Sequence, residues 1–410
     1  MVTDSELLEV FRLGELAEDG EIVALAGDLL SGRWIRQSRY REVAELMDRS
    51  LAISANAQTL MWKAQAVVVL DSPAEAIDLL EQAQAAFVSQ GSRRGEAVTT
   101  NNIGEAENRR GNRARALECY EHALAICREI GERQGEGSAL HNIGAVYNEL
   151  SENELALDYF TDALTIRRET GDRTGEAATL GNIGRSLHIL GDLSGAIEHY
   201  DQALVIWREI GDRQGEGATL NNIGGVLRDR NDLELAAGMY GEALALRRSI
   251  GDRRGEAVTL HNIGEILMTS SEHSDAAATI DMAIAIFSSI GDRANEANSH
   301  SIAGHAYQAL NDFDRAVDRF DASLEIVSSL DDPELESVTR FNLALALRSA
   351  GQLREAIELL ELVVAFDLEA AHPDLESDTA ALEAVRAELA AAERGGLGPG
   401  ERGSEDSTPD

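Results

Sequence analysis

The sequence predicts an all-α fold, a solenoid of antiparallel helix pairs, on three observations. The stretch Gly211-Asp-Arg-Gln-Gly-Glu-Gly-Ala-Thr-Leu-Asn-Asn-Ile-Gly224 has close copies beginning at Gly131, Gly171, Gly251 and Gly291, all in one register. Its Asn-Ile-Gly core falls at 102–104, 142–144, 182–184, 222–224 and 262–264, so the unit is 40 residues long and never slips. A column of alanines at 116, 156, 196, 236, 276, 316 and 356 carries the same step through seven units. A unit of this size cannot bury its apolar face alone, so neighbours stack and the core grows copy by copy. Such a stack offers a long surface rather than one chemical pocket.

Each unit reads as two helices. Leu220, Ile223, Gly224 and Leu227 form one stripe at helical spacing, which defines the first helix. After Asn231-Asp232 a second stripe, Leu233, Ala236, Tyr240, Ala243 and Leu244, defines the second, which stops before Gly251. Glycine there suits a left-handed C-terminal cap, and Asp252 can then accept from the free N–H groups of the following helix. Gly191-Asp192 marks the other corner of the unit with the same pair. Gly224 is expected to face Ala236 and Ala243, small residues that let the helices approach closely. The position beside the alanine column reads Tyr120, Phe160, Tyr200, Tyr240, Ile280, Phe320 and Leu360, an inter-helix core rather than a cofactor box.

Composition narrows the function. Lys+Arg 36 against Asp+Glu 73 gives a formal charge of −37, which opposes any phosphate backbone and argues against nucleic acid. A basic partner, a high-salt cytoplasm or plain solubility would each suit that charge. Lys63 is the sole lysine. Cys119 and Cys127, eight apart in one helix, form neither a disulfide framework nor a CxxC site and suit a reducing compartment. Met1 to Val10 has no basic stretch, and no apolar run approaches the ~20 residues needed to span a bilayer, so no membrane association and a cytoplasmic location are expected.

These residues resemble the tetratricopeptide repeat (TPR). Leu140-x2-Ile143-Gly144-x2-Tyr147 followed by Ala156-x3-Phe160 matches its pattern of small and aromatic positions, with six residues more per unit than the 34-residue form, expected to lengthen the helices and their connection. The Gly-Asp-Arg and Asn-Ile-Gly signatures are similar to the 40-residue repeats of Pins/LGN-type adaptors, kinesin light chains and bacterial TPR signalling proteins. The resemblance implies a right-handed superhelical array of about nine helix pairs plus a C-terminal capping helix. The expected organisation is a capping segment at 1–20, two degenerate pairs at 21–90, seven 40-residue units at 91–370, a capping helix at 371–393 after His372-Pro373, and a disordered acidic tail at 394–410.

On a helical wheel, Asn221, Asn222, Gly225, Arg228 and Asp229 oppose the apolar stripe and form a second face. In TPR proteins this side of the first helix lines a concave groove, and the position of Asn222 often holds an asparagine that bonds the backbone of an extended peptide. Carried over by that resemblance, the column is Asn102, Asn142, Asn182, Asn222, Asn262 and, after a gap at Ile302, Asn342. The preceding position adds Asn101, His141, Asn221 and His261, with Gly181 leaving space. Glu105, Arg109, Arg185, His188, Arg228, Asp229, Glu265 and Arg348 follow along the face, where arginine is the better fork for a carboxylate. Two readings stay open: these amides meet a ligand, or they bond one another across adjacent repeats.

Other chemistry finds no support in spacing. Arg173, Arg213, Arg253 and Arg293 stand three residues before Glu176, Glu216, Glu256 and Glu296, a solvent-exposed brace by expectation. The Gly-Asp-Arg-x-Gly-Glu motif lacks the Lys-Ser/Thr of a phosphate loop. No HExxH or Cys/His cluster exists, His141 and His261 lie three units apart, and neither cysteine has a partner base beside it. No catalytic residue, metal or cofactor is therefore expected. The leading expectation is a scaffold that binds a peptide or protein segment. The alternatives are a ligand-responsive regulatory subunit controlling a separately encoded enzyme, and a scaffold that self-assembles into a homo-oligomer.

Overall fold

The computed structural model describes residues 2–36, 39–70 and 72–396. Among them are 20 α-helices and no strand, in two compact units that divide after Asp212. The first unit holds α1 (Asp4–Ala17), α2 (Gly20–Arg36), α3 (Tyr40–Leu51), α4 (Ala57–Val69), α5 (Pro73–Ser89), α6 (Arg93–Arg109), α7 (Arg113–Ile130), α8 (Arg133–Glu149), α9 (Asn153–Thr170), α10 (Arg173–Ile189) and α11 (Leu193–Ile210). The second holds α12 (Arg213–Asp229), α13 (Leu233–Ile250), α14 (Arg253–Thr269), α15 (His273–Ile290), α16 (Arg293–Ala309), α17 (Phe313–Val327), α18 (Pro333–Ser349), α19 (Leu353–Ala370) and α20 (Leu375–Gly396). From α2 to α19 these make nine consecutive pairs among the described residues. The six residues beyond the short repeat all enter the helices, since the connections between α6 and α10 are only two or three residues long. α20 runs on to Gly396 because Ala390, Ala391 and Ala392 favour helix and the Arg394 Nε donates to the Ala390 carbonyl at 3.0 Å. Residues 397–410 of the expected tail lie outside the described residues.

The corners work as the Gly-Asp pairs imply. Gly171 takes φ +69° at the end of α9, and the Asp172 carboxylate accepts from the Gly175 N–H at 3.0 Å, so one tight turn satisfies groups at both helix ends. At Gly224 a Cβ would stand 2.6 Å from the Tyr240 ring, so the glycine makes room for the aromatic residue as well as for close approach of the helices. Gly144 with Phe160 and Gly184 with Tyr200 repeat the contact at 2.9 Å. The missing side chain is therefore replaced by a ring, which is why glycine and aromatic recur at one fixed separation.

The arginine and glutamate ladder differs from the exposed brace that spacing suggests. Glu136, Glu176 and Glu256 are buried, at 8, 6 and 8% exposure, and each is held by two arginines. Arg168 Nε reaches Glu176 Oε1 at 3.0 Å from the end of α9, and Arg173 Nη1 reaches Oε2 at 2.7 Å. Arg173 pairs further with Glu209 on α11, so a single arginine ties the start of one helix to the end of the next. Burial alone would raise the Glu136 pKa, but hydrogen bonds from Arg128 and Arg133 hold it below its ordinary value.

Candidate functional site: the first-helix face

Within each unit, successive first helices approach one another directly: α4 with α6, α6 with α8 and α8 with α10 in one, α12 with α14 and α14 with α16 in the other. Second helices make no comparable approach among the described residues. The stack in each unit therefore curves with its first helices on the inside, and the asparagine column lies on that inner face.

The column is partly occupied by its own neighbours. Asn142 Nδ2 donates to Asn101 Oδ1 at 3.1 Å, and Asn262 Nδ2 to Asn221 Oδ1 at 3.2 Å, each bond reaching 41 residues back. Asn182 Nδ2 stands 3.2 Å from His141 Nε2 across the same interval. With Nε2 accepting, the His141 proton sits on Nδ1 and reaches Thr179 Oγ1 at 3.0 Å, and that hydroxyl donates to the Gly175 carbonyl at 2.8 Å. His261 repeats the arrangement with Ser299 Oγ at 2.9 Å. Thus amide and imidazole bonds clip α6 to α8 and α8 to α10 in the first unit and α12 to α14 in the second. Burial, and then the Arg167 charge, depress the His141 pKa to about 4, and burial lowers that of His261.

Other members stay open. Asn102 and Asn342 are half-buried and Asn222 is exposed, and none makes a side-chain hydrogen bond among the described residues. The residue 41 before Asn102 is Met61, which has no strong acceptor, so that clip cannot form. Of the cations, Arg109 pairs with Glu105 at 3.5 Å, while Arg228 reaches Asp229 at 3.1 Å and also Glu265. Arg348 is drawn to Glu388 on the capping helix, its Nε at 3.0 Å. Arg185 is exposed and makes no ion pair among the described residues; His188 is half-buried and engaged. Thr179, Thr259 and Ser299, which complete the clips, were not singled out in sequence, although they form a column of hydroxyls one turn before the asparagines.

Between α6, α7 and α8 a hollow of about 290 Å³ opens beside Asn101 and Asn102, floored by Cys127. No group of three or more His, Cys, Asp or Glu side chains among the described residues is arranged to hold a metal, and no helix there is long and apolar enough to cross a membrane.

Comparison with known proteins agrees with this architecture. A signal-transduction ATPase with numerous domains carrying a tetratricopeptide repeat sensor, from Pyrococcus horikoshii, superposes with a TM-score of 0.60 at 17% identity over 82% of this chain and 54% of its own, so the chain spans about half that protein. A Rap protein complexed with competence and sporulation factor gives 0.57 at 16% over 91% and 99%. The Rap conjugation gene regulator of plasmid pLS20, in complex with the Phr* peptide, gives 0.52 at 18% over 83% and 96%. No curated protein sequence matches the chain. The tetratricopeptide repeat model itself matches residues 55–129, 95–169, 175–249, 255–329 and 304–369, and on that match the chain belongs to the tetratricopeptide repeat family.

Proposed function

We propose that the chain is a protein-interaction scaffold whose inner, first-helix faces hold a peptide or an extended segment of a partner protein. The observation that carries this reading is the unspent hydrogen-bonding capacity of the column: Asn102, Asn222 and Asn342 have no side-chain partner among the described residues. An amide offers two N–H donors and a carbonyl, so even Asn142, Asn182 and Asn262, which give one N–H to the preceding repeat, keep groups for a peptide backbone. Asn101, His141, Asn221 and His261 then act as spacers that orient the amides. Arg109, Arg185, His188 and Arg228 read the side chains that an extended segment presents. One similarly folded protein, the Rap conjugation gene regulator of plasmid pLS20, is in complex with the Phr* peptide, and another, a Rap protein, is complexed with competence and sporulation factor.

The test separates ligand contact from the clips. A random peptide library is selected against the whole chain, and the selected peptides are titrated against Asn102→Ala and Asn222→Ala. One lost backbone hydrogen bond is worth about 1 kcal/mol, so affinity should fall about fivefold to tenfold at one of these positions while the folded spectrum stays unchanged. Selection of no peptide, or equal affinity for both variants and the parent, would remove this reading.

A further inference from the structure

Two hollows open at equivalent places, one over Cys127 between α6, α7 and α8 and one over Asp367 between α18, α19 and α20, and the residue on the floor recurs every 40 positions. That residue is Cys127, Arg167, Trp207, Arg247, Phe287, Val327 and Asp367 in successive units. Three of these positions share one contact. A Cβ built on Gly135, Gly175 or Gly255, always eight residues on, would meet the side chain of Cys127, Arg167 or Arg247. Phe287 is buried at this position, and so is Arg247, 7% exposed, whose Nη1 donates to Thr259 Oγ1 at 2.9 Å. The fold thus already houses an arginine head in this place.

In the last unit the floor carries the opposite charge and the space is open. A hollow of about 330 Å³ lies between α18, α19 and α20, walled by Val338, Phe341, Val363 and Phe366. Asp367 is 2% exposed, and its Oδ2 has no hydrogen-bond partner. The His372 Nδ1 does not supply one: it lies 3.9 Å from Asp367 Oδ1 and accepts from the Asp374 N–H at 3.3 Å. The Asp378 carboxyl stands against that of Asp367, and burial together with this neighbour raises its pKa. Glu334 and Asp374 complete an acidic rim. The two carboxyls hydrogen-bond to each other, and no arginine or lysine pairs with either among the described residues, so a cation can take the place of the proton they share.

We propose that this hollow binds an alkyl ammonium or guanidinium group, its charge held between Asp367 and Asp378 and its stem laid along Val338, Phe341, Val363 and Phe366. The group belongs either to a free amine or to a lysine or arginine side chain of another protein. The site does not depend on the asparagine column.

Calorimetric titration of the full chain tests it with n-butylguanidinium, n-butylammonium, neutral n-butylurea and an acetylated, amidated Gly-Arg-Gly peptide. Saturable one-to-one binding of the charged ligands is expected, at least tenfold weaker for the urea, and abolished in Asp367→Asn. Asp367→Arg should fold, since arginine occupies this floor at 167 and 247, and should bind none of the ligands. Asp378→Asn, on the rim, should weaken binding about tenfold and keeps the test decisive if Asp367→Asn unfolds. A peptide bound tenfold more tightly than butylguanidinium would identify a protein side chain as the source; equal affinity would identify a free amine. No binding, equal binding of the urea, unchanged binding by the variants, or displacement by Ca²⁺ at equimolar concentration would overturn the proposal.

Discussion

His141 occupies a position that Asn101 and Asn221 fill in other repeats, and it keeps their acceptor role only while Nε2 is unprotonated. Protonation would turn that acceptor into a donor facing the Asn182 N–H. The surrounding charges do not compensate, since Arg167 opposes the cation and Asp172 favours it less strongly. In the unfolded chain the imidazole takes its proton near the ordinary value of about 6.5, whereas in the folded chain it resists until about 4. Between those values the unfolded state binds more protons, so stability falls as pH drops through the window and levels off below it. His141→Asn retains an amide acceptor and removes the titration. Urea unfolding of the two proteins should therefore agree near pH 7.5 and diverge by pH 4.5, the parent losing on the order of 1–3 kcal/mol relative to the variant. Parallel curves across that range would show that His141 stays solvated enough to protonate freely in the folded chain.

At the scale of the helix and its corner, Gly171 is needed for its dihedral alone, because a Cβ there would meet nothing within 4 Å. Gly171→Ala should cost about 1 kcal/mol by thermal unfolding, and Ser151→Gly, at a corner where serine already sits at φ +64°, should gain up to about 1 kcal/mol. If both changes are neutral, these corners are too loose for backbone strain to count. Such corners, the helices and the asparagine column were legible in the sequence because each signal repeats every 40 residues and depends on one helix at a time. What lay hidden depends on distances between helices. That Tyr240 covers Gly224, that Glu176 sinks between two arginines, and that Asn142 reaches back to Asn101 follow from how far neighbouring helices stand apart and how far each side chain extends. A wheel drawn for one helix shows the face but not what meets it. Hence the amides could be placed on a face while their 41-residue partners could not.

For the molecule as a whole, charge sets a balance that salt can tip. The 73 acidic side chains exceed the 36 arginines and lysine together, so 73 − 36 = 37 acids lack a cation even if every cation pairs once. Salt screens the repulsion among these, which favours folding, and it also screens bridges such as Arg173 to Glu209, which opposes it. An exposed bridge is worth under about 1 kcal/mol, because water and side-chain entropy take back most of its attraction, whereas repulsion among many like charges accumulates over the surface. Repulsion should dominate. The melting temperature should then rise by several degrees as NaCl increases from 0.02 to 0.5 M, most of the rise coming below 0.15 M, where the screening length has already shortened to about 8 Å. Chloride is the salt to use, because sulfate would also strengthen apolar burial and mimic the effect. Arg173→Gln adds a control: with one cation fewer, its melting temperature should start lower and climb more steeply with salt. A melting temperature that falls with NaCl would mean instead that the bridges between successive helices, and not the surplus of acid, decide how salt acts on this chain.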